Sequence, residues 1–271
     1  MMTPGVYDIS IEDYHNGEGI SRSGLMHFGK SPLHYWHNQI NPDREPVRQD
    51  EVVTKAGALG FGNALHTLVL EPAEFDNRYM VADKFDRRTK AGKEAHEIMI
   101  ETRGNRQLVS QDAMQELMKM KHSIDVNPWA KDLIGGAEYE KSIYWNDSTS
   151  DLLCKVRPDA WHEEFIVDLK TAVQADIKSF QRSFYSYGYH IQAGMINQAI
   201  LAVTGKDIRN FVFVAIEKEP PYAVGVYQLE EAGLVRGIQE FKDMILGVKM
   251  CMEKDEWPSY TPGLIDLPKW A

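Results

Sequence analysis

Cysteine is scarce in this sequence. Cys154 and Cys251 are the only two in 271 residues, and neither belongs to a Cys-x-x-Cys pair. Two isolated thiols exclude a disulfide framework and cannot supply the four thiolates of an iron–sulfur cluster. They are typical of a protein that stays in a reducing compartment, so we expect a cytoplasmic location.

Long apolar runs are missing as well. No stretch approaches the ~20 apolar residues that a membrane-spanning helix requires. The first residues, MMTPGVYDISIEDYH, have neither the basic region nor the apolar region of a secretory signal. We therefore expect no membrane partner.

An excess of positive charge is also absent. The chain has 30 Lys and Arg residues against 40 Asp and Glu residues, which gives a net charge of -10. This balance disfavours a protein whose whole surface binds nucleic acid or an anionic membrane, because phosphate attracts basic surfaces. It remains compatible with a protein that is basic only inside a groove.

Several enzyme motifs do not occur. The sequence contains no HExxH, no GxSxG and no Walker loop, which argues against zincins, serine hydrolases of that type and P-loop nucleotide hydrolases. The content of 43% hydrophobic and 26% charged residues is that of an ordinary globular protein. A chain of this length can bury a substantial core without covalent cross-links.

Caps, turn residues and apolar periodicity predict a helical first half and a mixed second half. We predict one domain over 1–271, with an N-terminal helical arm at 1–55, a helical part at 56–135 and a sheet with flanking helices at 136–271. The predicted helices are 21–29, a short one from Ser31 through Trp36, 57–70, 91–103, 111–123, 176–203 and 231–253. The predicted strands are 139–146, 152–157, 164–169, 210–217 and 223–229. This order is typical of an α/β or mixed α+β fold.

Two carboxylates and a lysine follow apolar strand sequence in the second half. Asp159 ends one predicted strand region, and Asp168 and Lys170 end the next, nine and eleven positions later. Residues i and i+2 of a strand point to the same face, so Asp168 and Lys170 project together. Carboxylates hold Mg²⁺ or Mn²⁺, and a lysine can stabilise developing charge, so the set suits phosphodiester hydrolysis. A surface ion pair is the alternative that the residues alone leave open.

These residues resemble a known signature. Arg157-Pro158-Asp159 followed by Asp168-x-Lys170-Thr171 is similar to the motif of PD-(D/E)xK nucleases, with Asp in place of Glu. More closely, the chain resembles the RecE-type exonucleases (exonuclease VIII) of phages and prophages. The matching segments run in order along the chain: YDISIEDYH, GISRSGL, SPLHYW, GNALHTLVLEPAEF, FDRRTKAGKE, SIYW, CKVRPD, DLKTA, YGYHIQA, DEWP and LPKWA. The resemblance implies a restriction-endonuclease-like αβββαβ core with a helical N-terminal elaboration.

The resemblance also implies the roles of individual residues. His66, Asp159 and Asp168 correspond to metal ligands, the backbone carbonyl of Leu169 to a further ligand, and Lys170 to the catalytic lysine. Mg²⁺ is the implied cofactor, with Mn²⁺ as a substitute. Without the resemblance, a histidine packed on a helix would be the preferred interpretation of His66.

Two further positions stay open between a functional and a structural role. Gln192 matches the glutamine of a Q-x-x-x-Y motif that supports the active site in related RecB-like nucleases, but Ile196 stands where the tyrosine belongs, so Tyr189 is a candidate substitute. An aromatic core stripe is the alternative for this helix. Glu140 corresponds to a glutamate that could hold a second metal or orient a ligand, with a solvated strand-edge acid as the alternative.

Candidate DNA contacts come from three regions. A basic loop suits phosphate binding, and a helix start is a natural anion site. Ordinary solvated loops and a plain helix cap are the alternatives. The candidates are Ser21, Arg22, Arg87, Arg88, Lys93, Thr171, Tyr189 and His190.

The resemblance implies a Mg²⁺-dependent 5′→3′ exonuclease acting on double-stranded DNA ends in the cytoplasm of a bacterial host. Such an enzyme leaves 3′ single strands for a RecT-like annealing protein during homologous recombination. The relatives thread DNA through rings, so we expect a homo-oligomer, with a tetramer favoured over a trimer. A PD-(D/E)xK nuclease of other polarity or substrate, or a catalytically inactive DNA-binding relative, is the alternative.

Overall fold

The computed structural model describes residues 2–45, 52–84, 86 and 88–265. Within this part of the chain, the α-helices are α1 (Ile11–Asn16), α2 (Arg22–Phe28), α3 (Pro32–Tyr35), α4 (Ala58–Leu70), α5 (Phe75–Arg78), α6 (Lys90–Arg103), α7 (Gln111–Val126), α8 (Pro128–Ile134), α9 (Ile177–Ser186), α10 (Tyr189–Thr204) and α11 (Glu231–Lys254). A π-helical turn (Trp36–Ile40) continues α3, and a 3₁₀ turn (Pro72–Glu74) follows α4.

The strands of the same ranges are β1 (Gly5–Tyr7), β2 (Val52–Val53), β3 (Tyr79–Ala82), β4 (Gln107–Ser110), β5 (Glu138–Tyr139), β6 (Ser142–Asn146), β7 (Leu153–Val156), β8 (Ala160–Trp161), β9 (Phe165–Ala172), β10 (Asn210–Glu217) and β11 (Val224–Gln228). The mixed α/β fold that the sequence predicts is thereby confirmed.

Side-chain caps start several of the predicted helices. The hydroxyl of Ser21 accepts the backbone N–H of Gly24, and that of Ser31 accepts the N–H of His34. Each cap satisfies one of the N–H groups that a helix start leaves without a partner. Pro32 at the first helical position needs no such partner. The local sequence therefore fixes where α2 and α3 begin.

A five-stranded sheet forms the centre, in the order β11-β10-β9-β8-β5. β9 and β10 are parallel, and the other pairs are antiparallel. Helices cover both faces, since Ile166 and Phe213 pack with residues of α10 and α11, whereas Leu169 and Val214 pack with residues of α4 and α7. No helix of the described ranges combines the length and hydropathy needed to cross a bilayer.

The predicted strand over 139–146 is wrong as a single element. Glu140 has φ +53°, which takes the backbone out of the extended region and divides the segment in two. The first piece, β5, joins the central sheet, and the second, β6, forms a hairpin with β7 in a separate sheet of order β1-β6-β7. The break leaves Glu140 outside both strands.

The predicted helix over 176–203 is also wrong as a single element. Gly188 has φ +64°, a conformation that glycine tolerates and other residues rarely adopt. A Cβ at this position would meet Sδ of Met26 at 2.8 Å, so α2 occupies the space that a side chain would need. The interruption separates α9 from α10 and sets Tyr189 and Gln192 on a helix of their own.

A small parallel sheet in the first half of the chain was not predicted from the sequence. It has the order β2-β4-β3 and packs through Leu108 and Ala82 against Met99 of α6. Its strands have two to four residues each, too short for alternation to stand out. β1, α1 and α8 were likewise not predicted.

Candidate metal centre

The centre begins with two residues on one face of β9. Asp168 and Lys170 are two positions apart, and the Lys170 ammonium forms an ion pair with Oδ2 of Asp168. Asp168 is only 2% exposed, so the pair lies out of bulk solvent. The sequence-based prediction that these side chains project together agrees with this geometry.

Asp159 reaches the same place from the adjacent chain segment. Ala160 of β8 pairs with Val167 of β9, which sets Asp159 opposite Asp168. Oδ2 of Asp159 accepts the backbone N–H of Leu169 at 2.7 Å. The N–H and C=O of one residue in an extended strand point to the same side, so the Leu169 carbonyl is directed toward the Asp159 side of β9.

His66 comes from α4, on the opposite side of the sheet from α10. Its Nδ1 lies 3.5 Å from Oδ2 of Asp159 and 3.9 Å from Oε1 of Glu140. These three side chains offer ligand atoms that all lie within 4.8 Å of one another. Two carboxylates and an imidazole are a donor set that divalent metals accept. The residues present therefore fit a divalent cation.

Glu140 owes its position to the break between β5 and β6. Its backbone N–H donates to the carbonyl of Asp159 at 3.2 Å, and its Oε2 accepts from Nε of Arg157 at 2.7 Å. Non-glycine residues with positive φ are uncommon and need surrounding contacts to hold them. The Glu140 side chain is only 14% exposed and is paired with Arg157, so it is held at the centre and is not a solvated strand-edge acid.

Burial and neighbouring charge shift the pKa values here. Burial disfavours protonated His66, but the carboxylates of Asp159 and Glu140 outweigh it and raise the imidazole pKa. Burial raises the pKa of the Asp168 carboxyl to about 6, against the opposing influence of Lys170. Desolvation opposes the charge of Lys170, yet Asp168 and Asp159 raise its pKa. Lys170 is therefore an ammonium at neutral pH, and a metal must compete with a proton for His66.

Asp168 differs from the expected ligand arrangement. Its Oδ1 accepts from Nε2 of Gln192 at 2.7 Å, while its Oδ2 is engaged by Lys170. The three-residue cluster therefore contains Glu140, Asp159 and His66 without Asp168. This hydrogen bond is compatible with the supporting role predicted for Gln192, which stays a prediction.

Tyr189 lies directly beneath two cations. Lys170 Nζ is 5.0 Å from the ring centroid, and the Arg22 guanidinium carbon is 5.6 Å from it. An aromatic face attracts cations at such distances. Tyr189 thus belongs to the centre, while Ile196, at the position of the expected motif tyrosine, is buried in the core.

The other candidate DNA contacts have mixed placements. Ser21 caps α2. Thr171 is half-buried, and its Oγ1 lies 4.0 Å from the position that a Cβ on Gly62 would have. The expectation for His190 needs correction. Its ring is 4% exposed, and Nε2 lies 2.9 Å from Oε2 of Glu240, so packing between α10 and α11 removes it from any nucleic-acid surface.

The basic segment after β3 is only partly described. Arg88 is exposed and pairs with Asp86 at 2.9 Å, and Lys93 is exposed in the first turn of α6. Arg87 lies outside the described residues. The structure therefore places Lys93 on α6, within the predicted helix over 91–103.

Arg157 is the residue whose role the sequence did not reveal. It was visible in the Arg-Pro-Asp motif, but its contacts lie far away in the chain. Its Nη1 donates to the carbonyl of Ile9 at 3.0 Å and to Oγ of Ser142 at 2.8 Å, in addition to the contact with Glu140. Only the folded chain brings these partners together.

Comparisons with known proteins agree with the fold. The model of a family described as PDDEXK-like domain of unknown function (DUF3799) matches residues 21–268. A crystal structure of a candidate exonuclease from Eubacterium rectale has a TM-score of 0.61 at 16% identity, covering 90% of this chain and 87% of that chain. The structure of SSO0001, at 15% identity, covers 74% of this chain and 79% of that chain with a TM-score of 0.28, too low to support an argument. No curated protein matches the sequence.

Proposed function

The chain belongs to the family of PDDEXK-like domains (DUF3799), and from that premise we propose that it is a Mg²⁺-dependent exonuclease acting on double-stranded DNA ends. The observation that carries the proposal is the cluster of His66, Glu140 and Asp159 beside the ion pair of Asp168 and Lys170. A metal site and a buried ammonium that adjoin each other suit the hydrolysis of a phosphodiester.

Each residue has a distinct part in the proposed reaction. His66, Glu140 and Asp159 would hold the cation, with the Leu169 carbonyl as a further donor. When bound, a divalent cation lowers the pKa of water and neutralises charge on the phosphate. Water adds to phosphorus, the P–O3′ bond breaks, and the leaving 3′ oxygen takes a proton. Lys170 would stabilise the charge that develops on the phosphate.

The finer features of the proposal rest on the order of RecE-type segments along the chain. We propose 5′→3′ polarity, 3′ single-stranded products and delivery of these strands to a RecT-like annealing protein. We propose a homo-oligomeric ring, with a tetramer favoured. The net charge of -10 suits a ring whose outer surface is acidic and whose basic residues lie locally along the path of the DNA.

Digestion of linear duplex DNA tests the activity. The wild type should release nucleotides from a 5′-phosphorylated duplex with Mg²⁺ or Mn²⁺, whereas Lys170→Ala and Asp168→Asn should not. Lys206→Ala, an exposed lysine paired with Glu163, serves as the control and should cleave normally. Cleavage that survives both substitutions in the centre would overturn the mechanism.

Two further measurements test the polarity and the oligomeric state. Duplexes labelled at the 5′ or the 3′ end distinguish the two polarities by which label is released first. The mass of the protein in solution tests the ring, and a monomer at micromolar concentration would contradict it. Duplex that is bound but never cleaved by the wild type would identify an inactive DNA-binding relative.

A further inference from the structure

An exposed basic and aromatic surface extends along α9 and the turn that follows it. Lys178, Arg182 and Tyr185 recur at the i, i+4 and i+7 positions that share one side of a helix, and Tyr187 follows at the helix end. Tyr185 and Tyr187 are 60% and 58% exposed. We call these four residues the α9 face.

Three residues of the α9 face line a shallow, open depression. A depression of about 480 Å³ is lined by Lys178, Gln181, Arg182, Tyr185 and Ser186. The ring of Tyr185 stacks on that of His190, with centroids 5.6 Å apart and an angle of 8° between the planes. The guanidinium carbon of Arg236 lies 5.2 Å from the Tyr185 ring centroid. Tyr185 is therefore held in a fixed orientation although it is exposed.

A continuous path of aromatic contacts joins this surface to the catalytic lysine. Lys170 Nζ lies 5.0 Å from the centroid of the Tyr189 ring. The Tyr189 ring lies 5.8 Å from that of Tyr187, which is exposed. A DNA strand that leaves the candidate centre over Tyr189 would reach Tyr187 of the α9 face next.

The charges of the α9 face are available to a ligand. Within the described ranges, neither Lys178 nor Arg182 takes part in a salt bridge, unlike exposed Lys206 and Arg209. The carboxylate of Asp176 caps α9 and accepts the backbone N–H groups of Lys178 and Ser179. Two cations without a salt-bridge partner in the described ranges, on a protein of net charge -10, form a local site that complements an anion.

We propose that the α9 face binds a single-stranded stretch of the DNA strand that enters or leaves the candidate centre. Bases stack on Tyr185 and Tyr187, and phosphates lie against Lys178 and Arg182. Exposed aromatic rings favour a single strand, because base faces are accessible for stacking only when they are not paired within a duplex. This inference rests on the proposed function and adds the path of the strand.

Binding of a fluorescent single-stranded oligonucleotide to the full chain tests the inference. The assay measures anisotropy with EDTA present, so that cleavage cannot occur. Lys178→Glu with Arg182→Glu should weaken binding at least about tenfold, and Tyr185→Ala with Tyr187→Ala should do the same, because stacking on each base contributes about tenfold or more. Tyr185→Phe with Tyr187→Phe should retain binding, since phenylalanine keeps the stacking surface.

The matched control is Lys131→Glu with Lys206→Glu, which changes the net charge equally on exposed lysines outside the α9 face. This control should bind nearly as well as the wild type. Equal losses in the control and the α9 variants would overturn the inference, because general charge would then explain binding. A solution mass that changes only in the α9 variants would also overturn it and make this surface an interface between copies of the chain.

The assay separates this inference from the proposed function. Strand binding that depends on the α9 face, in a wild type that cleaves no DNA with Mg²⁺ or Mn²⁺, would overturn the nuclease proposal and leave the binding surface standing. The wild type could instead cleave DNA while the α9 variants bind the oligonucleotide as tightly as the wild type does. That result would overturn the proposed binding surface and leave the nuclease proposal standing.

Discussion

Nε of Arg157 donates to Oε2 of Glu140 at 2.7 Å, while Oε1 of the same carboxylate lies 3.9 Å from Nδ1 of His66. Arg157 is 6% exposed in its side chain and also holds the carbonyl of Ile9 at 3.0 Å. A buried guanidinium thus orients one candidate ligand and joins it to the segment between β1 and α1. Partners behind a metal ligand set its orientation and basicity.

Arg157→Met should weaken metal binding by about 10–100-fold, the usual effect of losing a partner of a ligand. Glu140 would lose the donor that holds its second oxygen. Titration of the protein with Mn²⁺ by calorimetry measures the change. Arg209→Met removes an exposed, ion-paired arginine and should leave the affinity unaltered. Unaltered affinity in Arg157→Met would remove the positioning role.

Gln192→Leu should lower the cleavage rate by about 10–100-fold, by the same argument for a supporting partner. The substitution removes the N–H that donates to Oδ1 of Asp168 at 2.7 Å. The buried carboxyl then loses a contact that favours its ionised form, so its pKa rises and the acid limb of the rate profile moves to higher pH. Gln239→Leu on α11 is the control, since Gln239 donates to exposed Asp243. A profile identical to the wild type would contradict the prediction.

Glu116 should contribute to the stability of the fold in a defined pH range. Hydrogen bonds from Lys119 and Tyr222, with a further one from Lys55, lower the pKa of its carboxyl to about 2. A carboxyl whose folded pKa is depressed stabilises the fold above its unfolded pKa of about 4.3, and this contribution is lost as the pH falls toward the folded value.

Glu116→Gln should therefore unfold more easily than the wild type at neutral pH, and the difference should shrink between about pH 4.3 and the folded pKa of about 2. Urea unfolding at several pH values measures the free energies. Glu163→Gln, at an 83% exposed side chain, should show little difference at any pH. A constant difference for Glu116→Gln would show that its pKa is not depressed.

Gly237→Ala should destabilise the packing of α11 on α10. A Cβ on Gly237 would lie 1.9 Å from the carbonyl oxygen of His190, so the two helices would have to separate. Overpacking of this kind costs about 1–3 kcal/mol in the free energy of unfolding. Because α10 carries Gln192, the rate of cleavage should fall as well. Urea unfolding and the cleavage assay measure the two effects.

Gly62→Ala is the matched substitution with the opposite expectation. Gly62 lies in the interior of α4, and among the described residues a Cβ there would meet only Oγ1 of Thr171, at 4.0 Å. Alanine is favoured over glycine inside a helix by about 0.5–1 kcal/mol, so stability should be unchanged or improved. Destabilisation of both variants to the same extent would refute the close approach at Gly237.

Much of the candidate centre could be predicted from the sequence because its signals are local. The two-residue spacing of Asp168 and Lys170 sets both on one face of a strand, whatever surrounds it. Ser21 and Ser31 cap their helices through partners three residues away. The fold class and the shared face of Asp168 and Lys170 follow from such patterns, whereas the ligand roles of His66 and Asp159 were implied by the resemblance to RecE-type exonucleases.

The positions of Glu140 and Tyr189 could not be predicted in the same way. The residues around Glu140 alternate like one strand, and those around Gly188 are periodic like one helix. Each segment is divided because distant contacts compete with local preference: Glu140 bonds to Asp159 and Arg157, and Met26 crowds Gly188. The local periodicity of the sequence does not reveal such distant partners.

The sequence by itself determined the mixed α/β class, the carboxylate–lysine pair and the chemistry that such a pair suits. Only the tertiary structure decided that Glu140 joins His66 and Asp159, that Gln192 holds Asp168, and that His190 is buried against Glu240. The physical reason is that hydrogen bonds and ion pairs act over about 3–4 Å in space, irrespective of separation along the chain. Arg157 and Ile9 are in contact only because the fold brings them together.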